Sequence, residues 1–169
     1  MRSAALVVVV MSALAGCGGK SGDDHWSKRP LETVSGTVSG TNFTIQLPKG
    51  MRKTERGDEV EFDLHEHDRV YTPDITIRTW PHKSSLDEYV QSQQNQTFVR
   101  KDQVGDAFVV SQENDAYPGK QDFLVHVEKA TGDTAVSCDA RVTPFRPGDK
   151  VKETLLPLVE QMCLSITVK

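Results

Sequence analysis

Two sets of residues in this chain have types and spacings that could do chemistry. One is the three cysteines, Cys17, Cys138 and Cys163. The other is His65-Glu66-His67, which follows Glu61 and Asp63. On a strand, residues two apart share a face, so Glu61, Asp63, His65 and His67 line up. Two imidazoles and two carboxylates on one face make a ligand set for zinc or copper, and a third ligand such as His82 or His126 would have to converge on them. The outward face of an alternating strand must also be polar, and that solvated face is the favoured reading; no cofactor is expected. His-Glu-His lacks the H-E-x-x-H spacing of helical zinc proteases, so metalloprotease chemistry is not supported.

Cys17 closes the stretch Leu14-Ala15-Gly16-Cys17. Arg2 gives a positive start, Ala4 to Ala13 is an apolar run, and small residues precede the cysteine, which is the layout of an export signal. The apolar run is far short of the ~20 residues that a membrane-spanning helix needs. The stretch resembles the lipobox of bacterial lipoproteins. That resemblance implies a signal peptide over residues 1–16, cleavage after Gly16, a diacylglyceryl thioether on Cys17 and acylation of the new amino terminus by a palmitate-type chain. One acyl chain holds a protein marginally, whereas two or more hold it firmly. In enterobacterial lipoproteins an Asp after the lipidated cysteine favours the inner membrane. Gly18 stands there, so the expectation is a lipid-anchored envelope protein with the outer membrane favoured.

With Cys17 acylated, Cys138 and Cys163 remain. Two thiols in an exported domain read as one disulfide, and closing that loop stabilises by about 3–4 kcal/mol. Neither cysteine has a close ligand partner in sequence, which argues against metal.

The 169 residues suit one domain with an adequate core. The formal net charge is −4, and one unit more negative without Arg2. A mildly acidic surface argues against nucleic acid and against a polybasic grip on anionic lipid. Residues 18–40 are rich in Gly, Ser, Thr and charge and read as a flexible linker, so residues 17–40 carry the anchor and its spacer and residues 41–169 the globular domain. About twenty linker residues reach roughly 25 Å root-mean-square, enough to lift a domain off the headgroups.

Within the domain, Phe43, Ile45 and Leu47 alternate with polar residues up to the Pro48-Lys49-Gly50 turn. Val60, Phe62 and Leu64 alternate after the Arg56-Gly57-Asp58 turn, and Ile75 to Trp80 forms a third strand. Arg-Gly-Asp spells an adhesion tripeptide, but it is too short to be specific and suits an ordinary turn. Ser85-Leu86-Asp87-Glu88 is a capping box that opens a helix running to about Gln94. Four strands follow, over residues 97–101, 107–112, 121–129 and 134–142, with a hairpin at Ala130-Thr131-Gly132-Asp133. Asp149 can cap a second helix carrying Val151, Leu155, Leu158, Val159 and Met162. Pro157 kinks that helix or moves its start toward Thr154. A short strand over residues 164–168 ends the chain. His126 reads as a packed or half-exposed strand histidine. Trp80 is expected to end its strand against the core; an exposed Trp there would mark a contact surface.

Antiparallel hairpins and two separated helices give an α+β class, a central antiparallel sheet flanked by two main helices. Phe43-Thr44-Ile45-Gln46-Leu47-Pro48-Lys49-Gly50, the Ile75–Trp80 strand leading to Ser85-Leu86-Asp87-Glu88-Tyr89, and Glu160-Gln161-Met162-Cys163-Leu164-Ser165-Ile166 resemble the PsbP/Mog1-like group. The resemblance covers most of residues 41–169 and implies an α/β/α sandwich. Characterised members of that group mostly bind or assist other proteins, and a fold alone does not fix a function. No nucleophile elbow, P-loop, dinucleotide fingerprint, EF-hand loop or redox C-x-x-C occurs. The expectation is therefore a membrane-anchored, non-catalytic binding or assembly module with an envelope protein partner. The alternative is a metal-binding or metal-dependent envelope enzyme using His65 and His67.

Overall fold

Period-two alternation is realised as strands across the described residues. The computed structural model describes residues 25–64, 73–117, 120–143 and 150–169. A 3-10 turn at Trp26–Lys28 leads into β1 (Leu31–Val38) and β2 (Thr41–Pro48). These two pair antiparallel around Ser39-Gly40, both at positive φ (47° and 80°), as the tight two-residue turn of a hairpin requires. Next come β3 (Arg52–Arg56) and β4 (Glu59–Asp63), joined through Gly57 at φ 60°, then β5 (Asp74–Trp80) and α1 (Leu86–Ser92). A meander of β6 (Thr97–Val104), β7 (Ala107–Tyr117), β8 (Lys120–Thr131) and β9 (Thr134–Val142) follows. A wide π-type turn, Val151–Leu155, enters α2 (Leu156–Leu164), and β10 (Thr167–Val168) closes the chain.

The strands form a seven-stranded sheet in the order β3-β4-β5-β9-β8-β7-β6 and a three-stranded sheet in the order β1-β2-β10. Every pairing is antiparallel. The α+β expectation holds, with α1 on one face of the large sheet and α2 with the small sheet on the other.

The inner face of the large sheet is apolar because alternate residues of each strand align across it. Register places Val60 opposite Ile77, Ile77 opposite Cys138, Cys138 opposite Val127 and Val127 opposite Val109. All five are essentially without solvent contact. Phe43, Ile45 and Leu47 of β2 meet this layer from the small sheet, and Leu156, Val159 and Met162 meet it from α2. Cys138 and Cys163 form a disulfide with their Cα atoms 5.4 Å apart, tying the end of α2 to the middle of β9. Pro157 sits in the first turn of α2, where its missing N–H costs nothing. The one carboxylate on the buried side of α2, Glu160, accepts from Arg100 Nη1 at 2.7 Å and from Ser111 Oγ at 2.5 Å.

Two expectations are corrected. The linker reading fails for residues 25–40, which are folded elements of the domain, so the domain includes residues before Thr41. Trp26 is 1% exposed within the core, and β1 is a full strand whose Gly36 lets the Phe43 ring lie across its backbone. Among the described residues five strands, not three, precede α1: β1 is one addition, and β3 is the other, an almost wholly polar edge strand with no apolar alternation to reveal it. The expected cap Asp149 lies outside the described residues. The described start of that helix is held by Thr154, whose N–H and Oγ1 both donate to the Lys150 carbonyl. No helix among the described residues is long and apolar enough to cross a membrane.

Candidate functional site

The outer face of the large sheet carries the chemistry. Strand register lines its side chains up in three rows. The first runs Glu59, Arg78, Ser137, Glu128, Phe108. The second runs Glu61, Thr76, Asp139, His126, Val110. The third runs Asp74, Arg141, Leu124, Gln112. α1 lies over part of this face, set by the capping box expected from sequence: Ser85 Oγ accepts from the Glu88 N–H, and Glu88 Oε2 accepts from the Ser85 N–H. Between α1 and the strands runs a groove of about 490 Å³ that draws on all three rows.

His126 is the pivot of the floor. Its Nδ1 is 2.6 Å from Asp139 Oδ1, and its Nε2 is 3.7 Å from Glu128 Oε2. Burial alone pulls the imidazole's pKa down. The Asp139 hydrogen bond and the Glu128 carboxylate outweigh burial, so the net direction is up. Tyr89 of α1 covers the ring, and burial, followed by the charges of Asp139 and Glu128, pushes its phenol well above the usual range. Asp139 Oδ2 accepts from Ser137 Oγ at 3.1 Å and from Arg78 Nη1 at 3.4 Å. Arg78 also donates twice to Glu59 Oε2, at 3.0 and 2.8 Å. Glu128 Oε1 takes the Ser84 N–H at 2.6 Å, tying the approach to α1 to β8.

An Asp–His pair beside a serine invites comparison with a hydrolase triad, and the geometry rules that out. Ser137 Oγ bonds the aspartate and not the imidazole, and Ser137 is fully buried. The ring nitrogen that would receive a nucleophile's proton faces Glu128. These groups hold one another and α1; none is aimed at a reacting atom.

The third row is less committed. Arg141 Nε lies 3.5 Å from Asp122 Oδ2, and Asp74 stands opposite Arg141 in register. Burial raises the Asp74 pKa, Asp63 adds to the rise, Arg141 opposes it, and Glu61 raises it further. Gln112 is 6% exposed, and its Oε1 has no hydrogen-bond partner.

His65 and His67 lie outside the described residues, as does Cys17. Asp63 forms an ion pair with Arg52 at 3.2 Å, and among the described residues no group of three His, Cys, Asp or Glu side chains could hold a metal. Arg56-Gly57-Asp58 is the β3–β4 hairpin turn. Trp80 corrects its expectation: β5 alternation puts it on the outer face, 44% exposed, with Nε1 donating to Ser137 Oγ at 3.0 Å. The partners of His126 were missed, although the Gly132-Asp133 turn contained the signal. Counting back from that turn pairs Thr131 with Thr134 and therefore His126 with Asp139.

No protein-family model and no curated protein sequence matches this chain. Solved structures do match it. The fold is Mog1/PsbP-like. The crystal structure of the Saccharomyces cerevisiae Ran-binding protein Mog1p superposes with a TM-score of 0.60 at 12% identity, covering 82% of this chain and 96% of that one. The solution structure of cyanobacterial PsbP (CyanoP) from Synechocystis sp. PCC 6803 gives 0.51 at 14% identity, covering 94% and 100%. At such identities the likeness is one of fold.

Proposed function

We propose that the chain is a membrane-anchored bacterial envelope lipoprotein whose domain is a non-catalytic module for binding a protein partner. Lipid on Cys17 supplies the anchor, and Gly18 favours the outer membrane. The observation that carries the binding role is Trp80, which stands 44% exposed at the end of β5 on the same face as Arg78. Trp and Arg are the side chains most often found at the energetic centre of protein interfaces. A Mog1-like fold in a protein described as Ran-binding supports this use of the scaffold. The bonding of Ser137 Oγ to Asp139 and not to the His126 ring supports the absence of triad catalysis.

Two measurements test the reading. Cys17→Ser releases the protein from the membrane fraction or leaves it unprocessed; a normally acylated, membrane-bound Cys17→Ser protein sinks the anchor. Pull-down of the intact lipoprotein from its own envelope recovers a partner that Trp80→Ala loses. Identical recovery with both sinks the Trp80 surface.

A further inference from the structure

Three edges of the two sheets are long enough to pair with a further strand, and two of them are guarded. β3 has four charged residues in five. β6 carries Arg100-Lys101-Asp102 and a register break between Phe98 and Arg100. Charges and bulges are how proteins keep an open edge from pairing. β1 has neither guard. Its eight residues hold no Lys, Arg or Pro, and its register with β2 is unbroken. Among the described residues no strand lies on its other side. Its one charge, Glu32, accepts the Gly50 N–H at 3.1 Å.

The direction of each backbone group on that edge follows from the ladder. The Lys49 N–H donates to the Pro30 carbonyl at 2.9 Å, so Pro30 and Lys49 form a hydrogen-bonded pair. Such pairs alternate along an antiparallel ladder. Glu32, Val34, Gly36 and Val38 therefore bond β2, while Leu31, Thr33, Ser35 and Thr37 turn their N–H and C=O outward. β2 agrees with this phase. Gln46, opposite Thr33, sends its N–H away from β1 to Ser165 Oγ at 2.8 Å, and Pro48, which has no N–H, stands opposite Leu31. The four outward residues also have exposed side chains, Leu31 at 51%. None of the four is charged.

We propose that β1 pairs with β1 of a second copy, antiparallel across a two-fold axis, so that two three-stranded sheets become one. Outward residues must meet outward residues, and the longest overlap that allows this centres on Val34. Leu31 then faces Thr37 of the second copy and Thr33 faces its Ser35, with about eight backbone hydrogen bonds across the seam. Glu32 faces Gly36 and not its own copy. The chain is acidic, with a formal net charge of −4. Along β1 two such copies meet over an uncharged strip and avoid the like-charge repulsion of the rest of the surface. One strand against one strand buries well under the ~1,200–2,000 Å² of a stable interface, so pairing is weak between free molecules. It suits copies already held in one plane, and this part rests on the Cys17 anchor proposed above. Among the described residues β1 is the first strand after that anchor. Two copies tethered in one leaflet meet at a raised effective concentration.

Disulfide trapping in vesicles tests the proposal. Thr33→Cys and Ser35→Cys are reconstituted together, as full acylated chains, in phosphatidylethanolamine–phosphatidylglycerol vesicles and mildly oxidised. The register puts these two Cα atoms about 5.5 Å apart, within disulfide reach. The mixture is expected to give several-fold more cross-linked dimer than either variant alone. Adding Leu31→Lys and Thr37→Lys to both sets like charges opposite one another across the seam and should remove most of the dimer. Both positions are exposed, so an unchanged melting temperature checks that the fold is intact. No excess from the mixture, or trapping that survives the two lysines, overturns the pairing. Soluble Cys17→Ser chains with the same cysteines separate the seam from the anchor. Trapping at millimolar but not micromolar protein supports the seam whatever becomes of the anchor, and none at millimolar overturns it. Loss of the envelope partner from the lysine variant, with no cross-link between copies, gives the edge to a partner's strand and overturns self-pairing. Trp80 lies on the other sheet, so failure here leaves its surface standing.

Discussion

Tyr89 lies flat on His126, with ring centroids 4.0 Å apart and planes 5° from parallel. α1 is seven residues long and buries none of them fully, too short to persist on its own. Its hold on the sheet includes this stack, the tilted ring contact of Tyr89 with Phe108 at 5.6 Å, and the Ser84 N–H on Glu128. An imidazolium beneath an aromatic face is favourable, so the charge on His126 helps to seat the helix.

That charge makes the seating depend on pH. The folded pKa of His126 is raised above its ordinary value of about 6.5, so the protonated form is the one the fold favours. Its contribution is complete below the unfolded pKa and is lost as pH rises through the folded one. The melting-temperature difference between wild type and His126→Gln should therefore be largest near about pH 6 and shrink toward about pH 9. A difference that grows with pH contradicts the assignment.

Glu160 depends on Arg100. Arg100→Met leaves a carboxylate that is 7% exposed with only Ser111 Oγ to answer it. Arg100 is itself about a third exposed, so the cost is screened and should be about 1–3 kcal/mol. Ser111→Ala removes one neutral donor and should cost less. Urea denaturation of the two variants gives the order, and the reverse order refutes it.

The disulfide should be visible in the melting temperature. Cys138 and Cys163 are 25 residues apart, and a loop of that length is worth about 3–4 kcal/mol in the chain-entropy account. Cys138→Ala, Cys163→Ala and the double variant should lose similar amounts, because each removes the same link. Two free thiols in the periplasm-expressed protein under non-reducing mass spectrometry would rule the cross-link out.

Gly36 is required by its neighbour and not by its backbone. A Cβ there would meet Phe43 Cζ at 2.4 Å, and Phe43 is 1% exposed with no room to retreat. Gly36→Ala should cost about 1–3 kcal/mol as overpacking, whereas Gly40→Ala, with open space around it, should cost only the strain of its positive φ. Equal losses by thermal melting would contradict this.

Strands with one buried face were readable from sequence: β2, β4, β5 and β7–β9 follow the alternation of Phe43, Val60, Ile75 and Val125 with polar partners. The Ser85–Glu88 capping box and the Cys138–Cys163 pair were readable for local chemical reasons. β1 and β3 were not. β1 places Ser, Thr and Gly on an edge, and its deep anchors are Val38 at its very end and Trp26 outside the strand. The rows of the outer face arise only once register is known. Asp139 and Glu128 gather on His126 across strands, and Arg141, Leu124 and Gln112 come from three different strands, so nothing in local spacing marked them as neighbours.

The burial of Trp26 has a consequence for geography. With the anchor we propose at Cys17, nine peptide steps separate the acylated cysteine from a side chain locked in the core. Fully extended, that tether measures no more than about 30 Å. The domain is then a close-moored body that sweeps a small disc of membrane, and cannot search the depth of the compartment. A partner has to come within that radius, so encounters are set by lateral diffusion in the lipid and by how near the partner itself stands to the same surface.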